Sequence, residues 1–450
     1  MRRTLLKNAV IVNEGKCVQG SVVIEGEIIK EILGDEQEPL SPCQETIDVL
    51  GGYLLPGIID EHVHFRNPGF TYKADIVSES RAAVAGGVTS IMDMPNTNPQ
   101  TVTMEALSRK FDEMGTKSLV NYSCYFGATN ENYTEFRCLD AHRVCGIKVF
   151  MGSSTGDMLV NKRKSLQHVF GETDLLIATH CEDQTIIKKN TEKYRKEDDD
   201  LSLEYHSLIR SVDACYASSF VAVQLAKEMG TRLHVLHLTT AKELGLLADT
   251  PLNEDKRITA EVCVPHLLFT SSDYSVLGSF IKCNPAIKDV FDKEALRSAV
   301  NAGLIDVIAT DHAPHLLGDK EGGALKAASG MPMVQFALLS MLRLVDEGVF
   351  GIEKVVEKMC HAPAKIYTIY NRGYIRTGYQ ADLVVVKPVT SWRLTGNDIL
   401  SKCKWSPLEG EIFNYRIEKT FVNGCLVYSD RQIINENHRG QELKFRIKNE

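Results

Sequence analysis

The stretch Asp60–Phe65, reading DEHVHF, sets His62 and His64 two residues apart inside an apolar run. In an extended strand, side chains at i and i+2 leave by the same face. Two imidazoles placed this way, in a strand that follows the turn signal Pro56-Gly57, can share one metal ion. Asp60 falls on the same face as an outer partner for them. Most His-x-His pairs are ordinary strand or loop histidines, so what decides is whether the rest of the chain supplies the missing ligands.

Working outward, apolar strand-like runs alternate with helical stretches: IIDEHVHF, VTSIMDMPN, LVNYSCYFGA, CGIKVFM, LLIATHCE, RLHVLHLT, ITAEVCVPHLLF and LIDVIATDHAPH. Segments between them, such as Tyr72–Ala85, Thr103–Met114, Leu203–Met229 and Asp292–Ala302, are rich in Ala, Leu, Lys and Glu, as crossover helices are. Eight such units predict an α/β fold, a (β/α)8 TIM-like barrel over residues 57–364 with its active site at the carboxyl ends of the strands. Residues 1–56 and 365–450 carry short alternating runs split by Gly and Asn, including the hairpin signal Asn423-Gly424. They predict one small β-sandwich domain built from both chain ends.

Composition narrows the function classes. The 450 residues are 44% hydrophobic and 24% charged, with a net charge of -8 and no block of Lys or Arg. A nucleic-acid or anionic-membrane partner needs a basic face, so both are excluded, leaving a small-molecule substrate. The 12 cysteines are scattered, and Cys181, Cys263 and Cys283 sit in apolar segments; they read as buried free thiols of a reducing, cytoplasmic setting. No apolar run reaches membrane-spanning length. Lys188–Asp200 reads as a solvated helix face or loop.

Further metal ligands belong at the ends of other strands. His180 closes the fifth run, His237 the sixth and Asp311 the eighth, while Lys148 sits in the fourth and shares a strand face with Phe150. Singly, each has an ordinary reading as a core histidine, a helix cap or a snorkelling lysine. Together with His62 and His64 they place one ligand type after another at strand ends. A protonated amine beside a dication is repelled, so Lys148 is neutral or chemically changed. A neutral buried amine takes up CO2 to give a carbamate, whose two oxygens can bridge two metals. Two dications then retain a residual positive charge, which favours an anionic substrate.

At Thr46–Arg66 (TIDVLGGYLLPGIIDEHVHFR), TDHAPH and GYIRTGYQADLVV, the chain resembles the amidohydrolase superfamily over nearly its whole length. The likeness is to the cyclic amidases and, among these, the dihydroorotases of the carboxylated-lysine subgroup. It implies two Zn2+ per subunit, His62 and His64 on one, His180 and His237 on the other. Lys148 is then the bridging lysine carbamate formed from CO2, and Asp311 is both ligand and proton shuttle. Arg66 carries a planar fork suited to a carboxylate, and Asn96, in MPNTNP, offers a donor and an acceptor. In the resembling family this pair grips the substrate carboxylate; allantoinases and dihydropyrimidinases share the metal ligands without it. Asn284, His315 and the backbone near Gly330 carry over as further substrate contacts, with Gly318–Gly330 expected as a mobile rim. Pro285-Ala286-Ile287-Lys288 departs from the family's usual Pro-Pro-Leu-Arg. The implied activity is reversible hydrolysis of dihydroorotate to N-carbamoyl-aspartate, ring closure feeding pyrimidine synthesis, in a homo-oligomer (dimer or tetramer). Another cyclic amidase, or a non-catalytic scaffold on the same fold, is the competing reading.

Overall fold

The strand that opens the barrel, Ile58–Val63, is buried at all six positions. A parallel strand covered on both faces reads as a continuous apolar run rather than an alternating one, which is why these segments stand out in the sequence. The structure, a computed structural model, describes residues 2–152, 158–195, 200–253 and 255–446. The other barrel strands are Val88–Asp93, Asn121–Cys124, Ile147–Phe150, Ile177–His180, Leu233–Val235, Ile258–Cys263 and Val307–Ala309. Each pairs in parallel with the next. The third continues past Tyr125 as Phe126–Gly127, which pairs with the fourth. A parallel bridge from Val63 to His312 closes the ring.

The helices between them begin where short polar side chains can satisfy their first N–H groups. Asp75, Thr103 and Asp289 cap Ile76–Ala85, Met104–Lys117 and Val290–Ala302. Two expectations need correction. Leu203–Met229 is two helices, Tyr205–Ile209 and Val212–Met229, because the Ser211 side chain accepts from Ala214 N and starts the second one afresh. The run ITAEVCVPHLLF is a strand only to Cys263; Pro265 opens the helical turn Val264–Leu268, where its missing N–H costs nothing.

Both chain ends build a nine-stranded sheet. Tyr53–Pro56 is its seam, parallel to Arg3–Asn13 on one side and antiparallel to Leu383–Val386 on the other. Leu6, Val22 and Ile24 from the first half share a core with Leu383, Val385 and Phe421 from the second, so the sheet folds over as a sandwich. Asn423 and Gly424 both take positive φ, 50° and 72°, as the tight hairpin requires. Pro56-Gly57 is not a turn but the join between the units: a Cβ at Gly57 would lie 2.1 Å from Thr89 Oγ1.

Of the charged run Lys188–Asp200, the first part lies on the helix Gln184–Tyr194, and 196–199 fall outside the described residues. Cys181, Cys263 and Cys283 are buried free thiols; Cys17 and Cys138 are free but exposed, against the expectation of general burial. No helix among the described residues is long and apolar enough to cross a membrane.

Sandwich and barrel are joined by a buried polar knot. Asp382 accepts from Asn423 N at 2.8 Å and from Asn121 Nδ2 at 3.2 Å, and pairs with Arg372, both side chains at 5% exposure or less. Replacing Asp382 by Ala strands the Arg372 guanidinium in the interior, which costs about 3–5 kcal/mol. The thermal unfolding midpoint of Asp382→Ala is therefore expected to fall well below that of the parent chain, and an unchanged midpoint would refute the knot's role.

Candidate metal centre

Four imidazoles meet at the carboxyl ends of the strands, with ring centroids 5.5 Å apart for His62 and His64, 5.3 Å for His62 and His237, and 4.7 Å for His180 and His237. Their outer nitrogens show which nitrogen of each ring carries its proton. His62 Nδ1 lies 2.6 Å from Glu261 Oε1, and an ionised carboxylate only accepts, so the proton sits on Nδ1 and the lone pair on Nε2. His64 Nδ1 donates likewise to Asn96 Oδ1 at 2.8 Å. His180 Nε2 donates to Glu182 Oε2 at 2.9 Å, and Glu182 is paired with Arg210. The inner nitrogens then converge. His62 Nε2 and His64 Nε2 lie 3.3 and 3.1 Å from Asp311 Oδ1, and His180 Nδ1 faces His237 Nε2 at 2.9 Å.

Electrostatics agree with this reading. Burial lowers the pKa of His64 to about 4, and lowers those of His180 and His237, so these rings are neutral and hold lone pairs for a cation. Burial alone would raise the Asp311 carboxyl, but the facing His62 and His64 hold it well below the usual carboxylate range. Lys148 is buried with its Nζ 4.7 Å from the Phe150 ring centroid, on the face that strand parity predicts. Burial brings its pKa down to about 8, against the pull of Glu261 and Asp311.

Three of the donors fit a divalent cation. His62, His64 and Asp311 offer atoms within 4.8 Å of one another, a nitrogen and oxygen set suited to zinc. Among the described residues, His237 Nδ1 is buried with no hydrogen-bond partner. With their protons held on Nδ1, His62 Nε2 and His64 Nε2 face Asp311 Oδ1 lone pair to lone pair, an arrangement that a cation between them would relieve.

Several placements depart from the sequence reading. Strand pairing in the sixth and eighth strands stops at Val235 and Ala309, so His237 and Asp311 lie two residues beyond, with left-handed φ of 38° and 47°. That turn of the backbone swings their side chains into the mouth. Arg66 lies beyond the end of its strand. The strand ends at Val63, Arg66 has φ 65°, and its guanidinium folds back, Nε donating to Pro314 O at 3.0 Å and Nη2 meeting His315 Nε2 at 3.0 Å. Asp60 does not brace the imidazoles; it accepts from Thr310 Oγ1 at 2.6 Å and Thr310 N at 3.2 Å, holding the end of the eighth strand. With its Oδ1 taken by His64, Asn96 offers only its amide N–H groups to a ligand.

Gly330 packs against Ala313 and His315, where any Cβ would clash, and its N–H donates to Lys282 O at 2.8 Å. That bond ties it to the segment carrying Asn284, whose Oδ1 is buried without a partner among the described residues. The Gly-rich rim is anchored rather than loose. Lys320 Nζ donates to Ala328 O and Gly330 O, and Asp200 accepts from Gly323 N and Leu325 N.

Sequence reasoning missed Glu261, Glu182 and Lys73. Glu182 stands at i+2 from His180, and Glu261 is the one charged residue of an apolar strand, so both had a signal. Lys73, whose Nζ lies 3.0 Å from His315 Nδ1, had none.

The pattern of the amidohydrolase family matches residues 53–427. A dihydroorotase of Halobacterium salinarum is 34% identical over 83% of this chain and 86% of its own length. One of Methanosarcina mazei is 30% identical over 98% of this chain and 97% of its own. Among solved structures, the L-hydantoinase (dihydropyrimidinase) of Arthrobacter aurescens superposes with a TM-score of 0.92 at 26% identity, covering 99% of this chain and 100% of that one.

Glu261→Gln keeps the shape of the side chain but removes the charge that holds the His62 proton. Changes of this kind beside a metal ligand weaken metal binding by about 10–100-fold. Competition against a zinc chelator is expected to show that loss, and parental affinity in the variant would refute the assignment.

Proposed function

The chain belongs to the amidohydrolase family, and from that premise we propose that it is a metal-dependent dihydroorotase, hydrolysing the cyclic amide of dihydroorotate reversibly to N-carbamoyl-aspartate. The observation that carries the substrate is Arg66, an always-charged fork braced by Pro314 O and His315 beside the imidazole nest. A neutral cyclic amide offers such a group no counter-charge; a ring bearing a carboxylate does. The dihydroorotases that match nearly the whole chain support the same reading.

His62, His64, His180, His237 and Asp311 would hold two zinc ions, with a carboxylated Lys148 between them. At a pKa of about 8 the Lys148 amine keeps a free-base fraction near neutral pH. That form adds to CO2 through its nitrogen and loses one N–H proton, leaving an N-carboxylate. The chemistry supplied by the two ions is polarisation of the ring carbonyl and acidification of the attacking water.

The remaining work falls to the chain. Arg66 and the Asn96 amide hold the substrate carboxylate, and the walls at Asn284, His315 and Gly330 orient the ring. Asp311, already ionised, takes the proton released by water as the C–O bond forms. It delivers that proton to the ring nitrogen as the C–N bond breaks. Run backwards, the same steps close the ring, the direction that feeds pyrimidine synthesis. The acidic surface and free cysteines support a cytoplasmic setting, and we propose a dimer or tetramer.

A second reading, a cyclic amidase acting on neutral rings, is favoured by the fold match to the hydantoinase. Arg66→Ala separates the two. With dihydroorotate its KM is expected to rise at least about 10-fold, the worth of a charge-assisted contact; turnover of hydantoin or dihydrouracil in preference to dihydroorotate would overturn the proposal. Asp311→Asn, loaded with metal, is expected to lose about 10²–10⁴ in kcat, and retained kcat would remove its proton-transfer role.

A further inference from the structure

The floor of the barrel carries a charge concentration opposite in sign to the net -8 of the chain. A cleft of about 830 Å³ opens where the amino ends of the fifth, sixth and seventh strands meet residues 364–379. Arg232, Lys256, Arg257, Lys365, Arg376 and Arg446 line it, and no carboxylate does among the described residues. An adjoining cavity of about 730 Å³ shares Arg232, Arg257 and Arg446; of its two acidic lining residues, Glu172 is paired with Arg137 and Asp174 forms no ion pair with these arginines among the described residues.

Some of these cations are committed elsewhere. Lys256 is paired with buried Asp306 at 2.8 Å, and Arg376 with Glu14. The three arginines shared by both cavities form no ion pair among the described residues. Arg232 Nη2 donates to Ile366 O at 2.6 Å, Arg257 Nε to Gly230 O at 2.7 Å, and Arg446 Nη2 to Asn371 Oδ1 at 3.0 Å. Every one of these acceptors is neutral. The backbone sets Arg232 and Arg257 side by side at adjacent strand starts, through the 2.8 Å bonds Ile177 N to Arg232 O and Leu233 N to Arg257 O. Burial and the neighbouring Arg257 both lower the pKa of Arg232, the mark of a guanidinium without a counter-charge.

A guanidinium does not deprotonate in proteins, so repulsion between like charges here is relieved by solvent or, more strongly, by a bound anion. Arginine forks match phosphate oxygens two at a time. The cleft also falls within the range of about 300–1,000 Å³ usual for small-molecule sites. We propose that this floor cleft binds a small molecule bearing two or more phosphates, of the size of a nucleoside di- or triphosphate, with Arg232, Arg257 and Arg446 as its phosphate ligands. The site lies at the opposite end of the strands from the metal centre and is separate from substrate binding.

Titration calorimetry of the full-length, metal-loaded protein with inorganic tripolyphosphate and with ATP tests this. One saturable site per chain is expected, weakened about 10–100-fold by Arg257→Gln, the worth of a charge-assisted hydrogen bond to phosphate. It should be unaffected in Arg66→Ala and by saturating substrate. Arg232→Gln is expected to weaken it similarly; should that variant not fold, the exposed Arg257 and Arg446 still decide. Absence of saturable binding by both probes would overturn the proposal. Binding lost in Arg66→Ala, which would place the anion in the mouth, would do the same, as would binding indifferent to Arg257→Gln.

Discussion

The metal centre depends on one buried carboxylate. Glu261 Oε1 accepts both from His62 Nδ1 at 2.6 Å and from the backbone N–H of His237 at 2.9 Å, and so locks a member of each imidazole pair to a single atom. Burial alone would make this carboxyl hard to ionise, but His62 and His234 hold its pKa well below the ordinary range. His234 lies 3.6 Å from Glu61 and 3.7 Å from Glu261, and the two acids bring its pKa to about 9 despite burial. The layer beneath the nest is therefore acid, imidazolium, acid. Such a layer orients the imidazoles above it and places negative charge beneath the candidate cation site.

Above that layer the barrel ends in strained backbone. Arg66, His237 and Asp311 are all in the left-handed region, where a residue other than glycine costs about 1–3 kcal/mol. The surroundings over-determine them. Asp60 clamps Thr310 just before Asp311, and His64 N donates to His312 O just after it. Asp93 accepts from Phe65 N at 2.7 Å and is itself paired with buried Lys110 at 2.6 Å, fixing the residue before Arg66. Charges buried for this purpose are costly unless paired, and both ends of this one are.

The same logic separates the two ends of the barrel. At the mouth, cationic Arg66 and Lys73 both face His315, whose pKa is lowered by burial and then by those two cations. A neutral imidazole can accept on one nitrogen only, and Asp319 Oδ2, 3.2 Å from Lys73 Nζ, supplies Lys73 with a counter-charge. At the floor, arginines are left with neutral acceptors alone.

The barrel was legible in the chain because parallel strands buried on both faces leave long apolar runs, and His62, His64, Lys148, His180, His237 and Asp311 could be named because strand ends are where such runs stop. Strand parity placed Lys148 with Phe150 for the same local reason. What the sequence could not convey is anything set by contacts between distant segments. That Glu261 rather than Asp60 braces His62 follows from 199 residues of separation closed by the ring. The left-handed turns at Arg66, His237 and Asp311 follow from hydrogen bonds that exist only once neighbouring loops are in place. Local pattern determines which residues share a strand face; only the closed barrel decides which nitrogen of His62 and of His64 points inward, because Glu261 and Asn96, which hold the other nitrogen, come from elsewhere in the chain.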